Sequence, residues 1–229
     1  MRFSKWHAAG NVYLLTDERL DAERVPAFAV DTDGILEVLA HGDSWAEIAV
    51  WNPDGSRAEM SGNGTRIAAR WLADQTGAME IRVRIGSREI VAHVRGGEIE
   101  QDMGPVRVAE SERIAGLDVI AVDVGNPHAV VIGDPDDLPL VGPLLETHPR
   151  FPNRTNVQVV RVDKPGVLTA RVWERGVGET QSSGTSAVAV AAATHDGGDV
   201  LVHFPGGDLR VLLDNGAAML IGPAERLDA

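Results

Sequence analysis

The sequence predicts an α+β protein of two pseudo-symmetric halves, each a curled, mostly antiparallel sheet wrapped round a central helix. The 229 residues suffice for two domains of about 115 residues. Short strand patterns dominate both halves, and four pairs of landmarks recur in the same order at a nearly constant offset. The pairs are Gly10-Asn11 with Gly125-Asn126, Ser61-Gly62 with Ser183-Gly184, Gly96-Gly97-Glu98-Ile99 with Gly206-Gly207-Asp208-Leu209, and Gly104-Pro105 with Gly222-Pro223. The predicted division is an N-terminal half, 1–110, and a C-terminal half, 111–229.

The predicted strands are short, rich in β-branched residues, and separated by Gly, Pro and Asp turns. In the N-terminal half they are Val12–Thr16, Ala46–Trp51, Ile81–Ile85, Glu89–Val94 and Ile99–Met103. In the C-terminal half they are Val119–Val124, Ala129–Ile132, Asn156–Arg161, Leu168–Glu174, Leu201–Phe204, Leu209–Leu213 and Ala218–Ile221.

Two helices interrupt these strands, Thr65–Gln75 and Ser186–Thr194. The second helix, SAVAVAAAT, is composed almost entirely of small and apolar residues. Because a helix at the surface would show a polar face, this one is predicted to be buried on every side and wrapped by strands.

A short loop bearing glycine and hydroxyl residues precedes each predicted helix, Ser61–Thr65 and Ser182–Ser186. Free N–H groups and the helix dipole make such a helix start an anion site. The alternative is that the Ser and Thr residues are simply N-caps, their commonest role. Two equivalent loops in a duplicated chain favour anion sites that face one cleft and hold one small carboxylate.

Composition excludes several classes of function. Acidic residues outnumber basic ones 34 to 21, which disfavours nucleic acid as a partner. No apolar run approaches the roughly 20 residues of a membrane span, and the N-terminus lacks the apolar core of a secretory signal, so a cytoplasmic location is expected. The absence of cysteine excludes disulfides, thiolate zinc sites and cysteine nucleophiles, and the seven histidines show no metal-binding spacing.

Longer motifs give the sequence a family resemblance. They are FSKWHAAGN, WNPDGSRAEMSGNGTR, VGNPHAV, FPNRTNVQVV, WERGVGETQSSGT, and the closing HFPGGDLRV with IGPA. Over nearly its whole length the chain resembles diaminopimelate epimerases. The resemblance implies two mirror-related α/β halves, each a sheet round a central helix, with the site in the cleft between them. It also implies cofactor-independent inversion at an amino acid α-carbon, which converts LL- to meso-diaminopimelate for lysine and peptidoglycan synthesis.

In that family two cysteines act as base and acid on opposite faces of the substrate, and their positions here are Ser61 and Ser183. A thiol with a reference pKa near 8.5 is easily tuned toward neutrality, whereas a serine hydroxyl needs an adjacent base. Three explanations stay open at this point. The chain is a natural enzyme that uses serines, helped by His128 or Glu174; it is a homologue that binds without racemising; or it is an inactivated cysteine-to-serine variant.

The resemblance implies roles for further residues. Arg175 forks two hydrogen bonds to the distal end of the substrate, Glu174 lies near the substrate ammonium group, and His128 tunes one of the paired groups. The expected substrate-binding residues are Asn11, Asn52, Gly62, Asn63, Asn126, Asn156, Glu174, Arg175, Gly184 and Thr185, of which Gly62, Asn63, Gly184 and Thr185 hold the reacting carboxylate through their N–H groups.

The sequence therefore predicts an amino acid epimerase of the diaminopimelate type that works by two-base proton transfer without metal or cofactor. The alternatives are a catalytically silent amino-acid-binding homologue, or a dehydratase or racemase that acts on another amino acid. The expected partner is a small amino acid substrate, diaminopimelate, with neither nucleic acid nor membrane, and with a homodimer as a possible assembly.

Overall fold

The computed structural model describes residues 1–58 and 60–227, so Glu59 of the WNPDGSRAEMSGNGTR motif lies outside the described residues. It shows a mixed, sheet-dominated α+β fold with few helices, which confirms the predicted class. The chain divides into two compact units. Unit 1 is Met1–Asp102 with the C-terminal segment that begins at Ile221, and unit 2 is Met103–Leu220. The proposed division at residue 110 stays a prediction.

Unit 1 contains two helices, α1 (Val25–Phe28) and α2 (Gly62–Thr76). Its first seven strands are β1 (Ser4–Ala8), β2 (Asn11–Thr16), β3 (Gly34–His41), β4 (Trp45–Trp51), β5 (Glu80–Ile85), β6 (Arg88–Arg95) and β7 (Glu98–Pro105), of which β7 leads into unit 2. From β1 to β6, successive strands pair in the order antiparallel, parallel, antiparallel, parallel, antiparallel. Helix α2 packs against β4, β5 and β6.

Helix α2 begins three residues before the predicted Thr65 because its N-terminus is capped. Ser61 is extended, and its Oγ accepts a hydrogen bond from the Gly64 N–H at 2.9 Å. This cap satisfies one of the first-turn N–H groups and allows two glycines to stand inside the helix. At the other end Gly77, with φ of 75°, adopts the left-handed conformation that closes the helix.

Unit 2 contains α3 (Leu138–Glu146) and α4 (Gly184–Thr194). Its strands are β8 (Arg107–Ile114), β9 (Leu117–Asp123), β10 (Pro127–Ile132), β11 (Asn156–Lys164), β12 (Val167–Glu174), β13 (Gly178–Thr180), β14 (Gly198–Phe204), β15 (Gly207–Asp214) and β16 (Ala217–Pro223), after which β17 (Glu225–Leu227) pairs with β1 in unit 1. Along β9, β10, β11, β12, β14 and β15 the pairing order is again antiparallel, parallel, antiparallel, parallel, antiparallel.

Helix α4 is buried from Gly184 to Ala191, as its composition predicts, while its last three residues, 192–194, are half-buried. Its small side chains allow the backbone to approach β9, β10, β11 and β15, with which the helix is in contact. Ser183 precedes it in an extended conformation but makes no side-chain capping bond. The wrapping of strands round this helix stays a prediction.

Helix α3 is an element that the sequence analysis does not predict. Leu138, Val141 and Leu145 on this helix form a core cluster with Val157 and Val159 of β11. Among the described residues, no helix is long and apolar enough to cross a membrane.

Candidate active site

The loop at the start of α2 carries three of the predicted site residues in unit 1. Ser61 is half-buried, while Gly62 and Asn63 are buried. The N–H groups of Gly64 and Thr65 bond to the side chain and the carbonyl oxygen of Ser61, respectively. Within 1–58 and 60–227, no hydrogen bond of this turn uses the N–H of Gly62 or Asn63. These two donors are thus placed to bind an anion.

A fully buried arginine, absent from the sequence prediction, lies beneath this loop. Arg66 donates from Nη2 to Asn63 Oδ1 at 2.5 Å, from Nη1 to the Gly62 carbonyl at 3.3 Å, and from Nε to the Pro223 carbonyl at 3.3 Å. Burial lowers the pKa of Arg66 to about 10, so the guanidinium is still protonated at neutral pH. The loop therefore rests on a permanent positive charge.

A buried glutamine completes the polar support of the α2 loop. In the amide orientation that satisfies both of its polar atoms, Gln101 donates to the Gly62 carbonyl at 3.1 Å and accepts from Thr65 Oγ1 at 2.6 Å. Both Gln101 and Thr65 are fully buried. Since unmade hydrogen bonds at buried polar groups are costly, this set holds the loop in one conformation.

The other two predicted residues of unit 1 lie at strand ends, outside the α2 loop. Asn52 follows β4, where its Nδ2 donates to Ser56 Oγ at 2.9 Å and its N–H bonds to the Ser56 carbonyl. Asn11 opens β2 and is buried. Next to it, Asp33 accepts from the Val12 N–H at 2.7 Å, and burial raises the pKa of the Asp33 carboxyl.

In unit 2, the loop before α4 differs from the α2 loop in its capping. The Ser183 Oγ lies 3.5 Å from Thr185 Oγ1 and is not bonded to a first-turn N–H. The Ala187 N–H bonds to the Ser183 carbonyl, and no hydrogen bond of the described residues uses the N–H of Gly184 or Thr185. This helix start therefore also presents donors to an anion.

A chain of polar side chains connects this loop to the interior of unit 2. Asn126 Nδ2 donates to Thr185 Oγ1 at 3.4 Å, and Asn126 Oδ1 lies 2.9 Å from His128 Nε2. On its other side, His128 Nδ1 lies 2.9 Å from Nε2 of Gln158, which also donates to Ser186 Oγ at 2.9 Å. With its proton on Nε2, a neutral His128 donates to Asn126 and accepts from Gln158.

The electrostatic environment keeps His128 uncharged. Burial, together with the positive charge of Arg175, lowers the pKa of His128 to about 3, although the Gln158 hydrogen bond opposes this shift. At neutral pH the imidazole is thus neutral and a weak base. It orients Asn126 and the α4 loop but cannot store a proton there.

A second group in unit 2 joins three of the remaining predicted residues. Asn156 Oδ1 accepts from the Arg175 N–H at 2.9 Å, and Asn156 Nδ2 donates to the Pro127 carbonyl at 3.0 Å. The Arg175 Nη1 donates to the Asn153 carbonyl at 3.2 Å. Glu174 accepts from Thr180 Oγ1 at 2.6 Å. Asn156 thereby fixes the backbone from which the Arg175 side chain extends.

The structure adds Arg66, Gln101 and Gln158 to the residues around the two loops. Of these, Gln158 had a sequence signal, because it is a polar residue within the apolar run of β11 and is fully buried there. Among the described residues, no cluster of three or more His, Asp or Glu is placed to hold a metal ion.

Comparison with known proteins is consistent across the chain. The sequence profile of the family described as diaminopimelate epimerase matches residues 3–109 and 120–227. A diaminopimelate epimerase of Pelotomaculum thermopropionicum is 34% identical over 271 residues, covering 99% of this chain and 97% of that protein. One from Thermobifida fusca is 38% identical over 261 residues, covering 98% and 95%.

Solved structures share the fold. A predicted epimerase of Pseudomonas aeruginosa superimposes with a TM-score of 0.77 at 15% identity, covering 99% of this chain and 97% of that one. A hydroxyproline epimerase of Agrobacterium vitis, with trans-4-hydroxy-L-proline bound, gives a TM-score of 0.74 at 15% identity, covering 98% and 88%. At 15% identity these structures show only that the fold is shared. The family assignment follows from the profile match and from the relatives that are 34% and 38% identical. The chain belongs to the diaminopimelate epimerase family.

Proposed function

We propose that the protein is an isomerase that interconverts LL- and meso-diaminopimelate by proton transfer at the α-carbon. Family membership supports the reaction. The observation that carries the mechanism is that each unit holds a Ser-Gly loop at the start of a helix whose first two turns are buried. In each described loop, no hydrogen bond uses the N–H groups of the two residues after the serine. Each loop combines a proton-transfer position with an anion site.

We infer that the two units are related copies, each a curled sheet round its long helix, α2 or α4. The identical pairing order of strands in the two units supports this relation. The place of the helix along the chain supports it too. In each unit the helix occurs in sequence between the two strands of the second parallel pair, α2 between β4 and β5 and α4 between β12 and β14. A duplicated scaffold supplies two equivalent helix starts, one for each of the two proton-transfer groups that act in the inversion of a tetrahedral carbon.

The N–H groups of Gly62, Asn63, Gly184 and Thr185 are assigned to the reacting carboxylate. As the α-proton leaves, negative charge spreads onto this carboxylate, and donors already fixed in place stabilise that charge without reorganising. Ser61 and Ser183 occupy the positions of base and acid. The hydrogen bond from Gly64 N–H to Ser61 Oγ favours negative charge on that oxygen.

The distal end of the substrate is assigned to Arg175 with Asn52, Asn126 and Asn156, and its ammonium group to Glu174. Asn11 is assigned a further polar contact. Because the guanidinium fork matches a carboxylate, this set selects a second carboxylate over an amine alone. His128 supports Asn126 as a neutral hydrogen-bonding group.

The proposed setting is the synthesis of lysine and peptidoglycan precursors in the cytoplasm, by a protein that binds a small amino acid and not nucleic acid. A homodimer is the proposed assembly.

Proton exchange in deuterium oxide tests the mechanism. We expect the parent protein to wash deuterium into diaminopimelate and to interconvert its isomers, and the double change Ser61→Cys with Ser183→Cys to raise both rates by at least about 100-fold, as expected for a better-matched acid–base pair. Each single change should exchange one isomer faster than it inverts it. NMR of the α-position measures exchange and inversion together.

The exposed Ser87, in the turn between β5 and β6, provides the matched control. Ser87→Cys introduces one thiol away from both loops and should leave exchange unchanged. If the double variant binds diaminopimelate but neither exchanges nor inverts it, the assignment of both serine positions fails and a binding protein is the better account. If the protein exchanges the α-proton of another amino acid but not that of diaminopimelate, the assignment of diaminopimelate as the substrate is rejected instead.

A further inference from the structure

Arg66 is a buried charge that no part of the proposed reaction has used. It lies on α2 five residues after Ser61, with its side chain 0% exposed. Its recorded partners are two carbonyl oxygens and the amide oxygen of Asn63. Among residues 1–58 and 60–227, no carboxylate forms an ion pair with it. The charge is therefore solvated by dipoles and is not cancelled by an anion of the described chain.

Burying a cation without an anion is costly, so its location calls for a reason. Packing alone does not supply one, since a Met or Leu side chain of similar volume would fill the same space without a desolvation cost. The guanidinium bonds to the two residues that follow Ser61 in the loop, Gly62 and Asn63. Because the guanidinium is fully buried, its field reaches the loop with little screening.

We propose that Arg66 is an electrostatic positioning residue, which fixes the Ser61-Gly62-Asn63 loop and stabilises negative charge at position 61 and on the carboxylate bound beside it. The functional part of this inference rests on the proposed epimerisation, while the electrostatic part rests on the contacts of Arg66. The field of α2 acts in the same direction. Tyr13 of β2 is the titratable neighbour that interacts electrostatically with Arg66.

In contrast, the start of α4 is supported by the neutral His128. Ser183 also lacks the capping bond that Ser61 receives. Arg175 also brings a positive charge near His128, but its side chain is half-buried, so its field is screened more than that of the fully buried Arg66. We therefore expect the two proton-transfer positions to differ in how well they hold negative charge, with position 61 the better one.

The absence of cysteine makes the charge measurable, because a thiol introduced by Ser61→Cys is the only one in the chain. Its pKa is obtained from the pH dependence of thiolate absorbance and of alkylation by iodoacetamide. We expect the pKa to lie below the reference value of about 8.5, and to rise by about one unit when Arg66→Met is added. Arg66→Lys keeps the charge and should restore most of the lowering.

Arg70→Met is the matched control, because it removes a positive charge from the same helix one turn further from the loop. Arg70 is partly exposed and paired with Asp74 at 2.7 Å, so its loss should leave the thiol pKa within about 0.3 units. Circular dichroism verifies that each variant is folded. Arg66→Gln is the second neutral variant, since its amide can still donate to a carbonyl.

An unchanged thiol pKa in folded Arg66→Met or Arg66→Gln, or an equal rise in Arg66→Lys, overturns the proposal. Should both neutral variants fail to fold, the thiols of Ser61→Cys and Ser183→Cys are compared, and an equal or higher pKa at position 61 overturns it. This measurement does not require turnover. A shifted pKa in a protein that never exchanges diaminopimelate would reject the proposed function and retain the electrostatic role.

Discussion

The buried imidazole of His128 makes the stability of the protein depend on pH in a defined window. Its pKa is about 3 in the folded state against a reference of 6.5, mainly because burial excludes water from the charged form. The unfolded state therefore binds the extra proton first as the pH falls. Its contribution to stability is complete above about pH 6.5 and is lost progressively between pH 6.5 and 3.

The size of the effect follows from linkage. Between pH 7 and pH 5 the unfolded state gains about 2 kcal/mol from protonation of this one side chain, and the folded state gains almost nothing. This value of about 2 kcal/mol is nearly the same for any pKa of His128 in the folded state below about 4. Since the side chain is only 1% exposed, no reduction for solvent screening applies.

The substitution His128→Gln isolates this contribution. It removes the titration and retains a side chain that can hydrogen-bond to Asn126, so other ionisable groups contribute equally to both proteins. Urea unfolding at pH 8, 7 and 5 measures the free energy of unfolding of the parent and the variant. The free energy of unfolding of the parent minus that of the variant should fall by about 2 kcal/mol from pH 7 to 5. The same quantity should change by less than about 0.3 kcal/mol from pH 8 to 7. A difference that stays constant down to pH 5 would refute a buried, neutral imidazole.

Two further predictions concern substrate selection and packing. Arg175→Lys should weaken diaminopimelate binding at least about tenfold and leave lysine binding unaffected, because a point charge does not replace the bidentate fork; equal calorimetric affinities for diaminopimelate in parent and variant would contradict the assignment. Gly142→Ala should lower the free energy of unfolding by about 1–3 kcal/mol, because the new Cβ would lie 2.8 Å from the Trp173 ring. Gly97→Ala is its control in denaturant unfolding, since a Cβ there meets no atom within 4 Å, and equal losses at both sites would contradict the packing argument.

The strands were predictable where burial alternates or where an apolar run is bounded by turns. β5 shows strict alternation in the structure, and its limits differ from the predicted ones by one residue. β8 escaped prediction because seven of its eight residues are exposed or half-buried, so no apolar period marks it. β3 is the opposite case, a run with both faces buried whose limits alternation cannot define.

Helix α3 escaped prediction because its sequence, LPLVGPLLE, carries two prolines and a glycine. The first proline stands in the first turn, where an N–H is not needed. Gly142 is required by its close approach to Trp173, a contact between residues far apart in sequence. Helix propensities of single residues do not indicate that a proline is tolerated in this first turn or that Gly142 contacts Trp173.

The candidate site was predictable as a set of residue types, but its supports were not. Motifs indicated both serines and the asparagines, whereas the contact of Arg66 with the Pro223 carbonyl joins residues 157 positions apart. The protonation state of His128 likewise depends on burial, which the GNPH motif does not encode. Sequence motifs thus indicated the candidate ligand-binding residues, whereas the charges of Arg66 and His128 depend on contacts that only the fold provides.

The unequal environments of the two loops have a kinetic consequence under the proposed mechanism. An enzyme cannot change the equilibrium between two isomers. A difference in proton affinity between positions 61 and 183 therefore alters only the distribution of the free enzyme between its two protonation states, with the proton at position 61 or at position 183. Arg66 and the Gly64 N–H favour the state that is ready to accept a proton at position 61. The isomer whose α-hydrogen faces position 61 then binds to the more populated form of the free enzyme. The other isomer reacts only with the less populated form, in which position 183 is ready to accept the proton. Loss of the Arg66 charge should therefore change the rates of the two directions together, with their ratio of kcat/KM fixed by the equilibrium constant, and shift the balance between the two free-enzyme states toward equality.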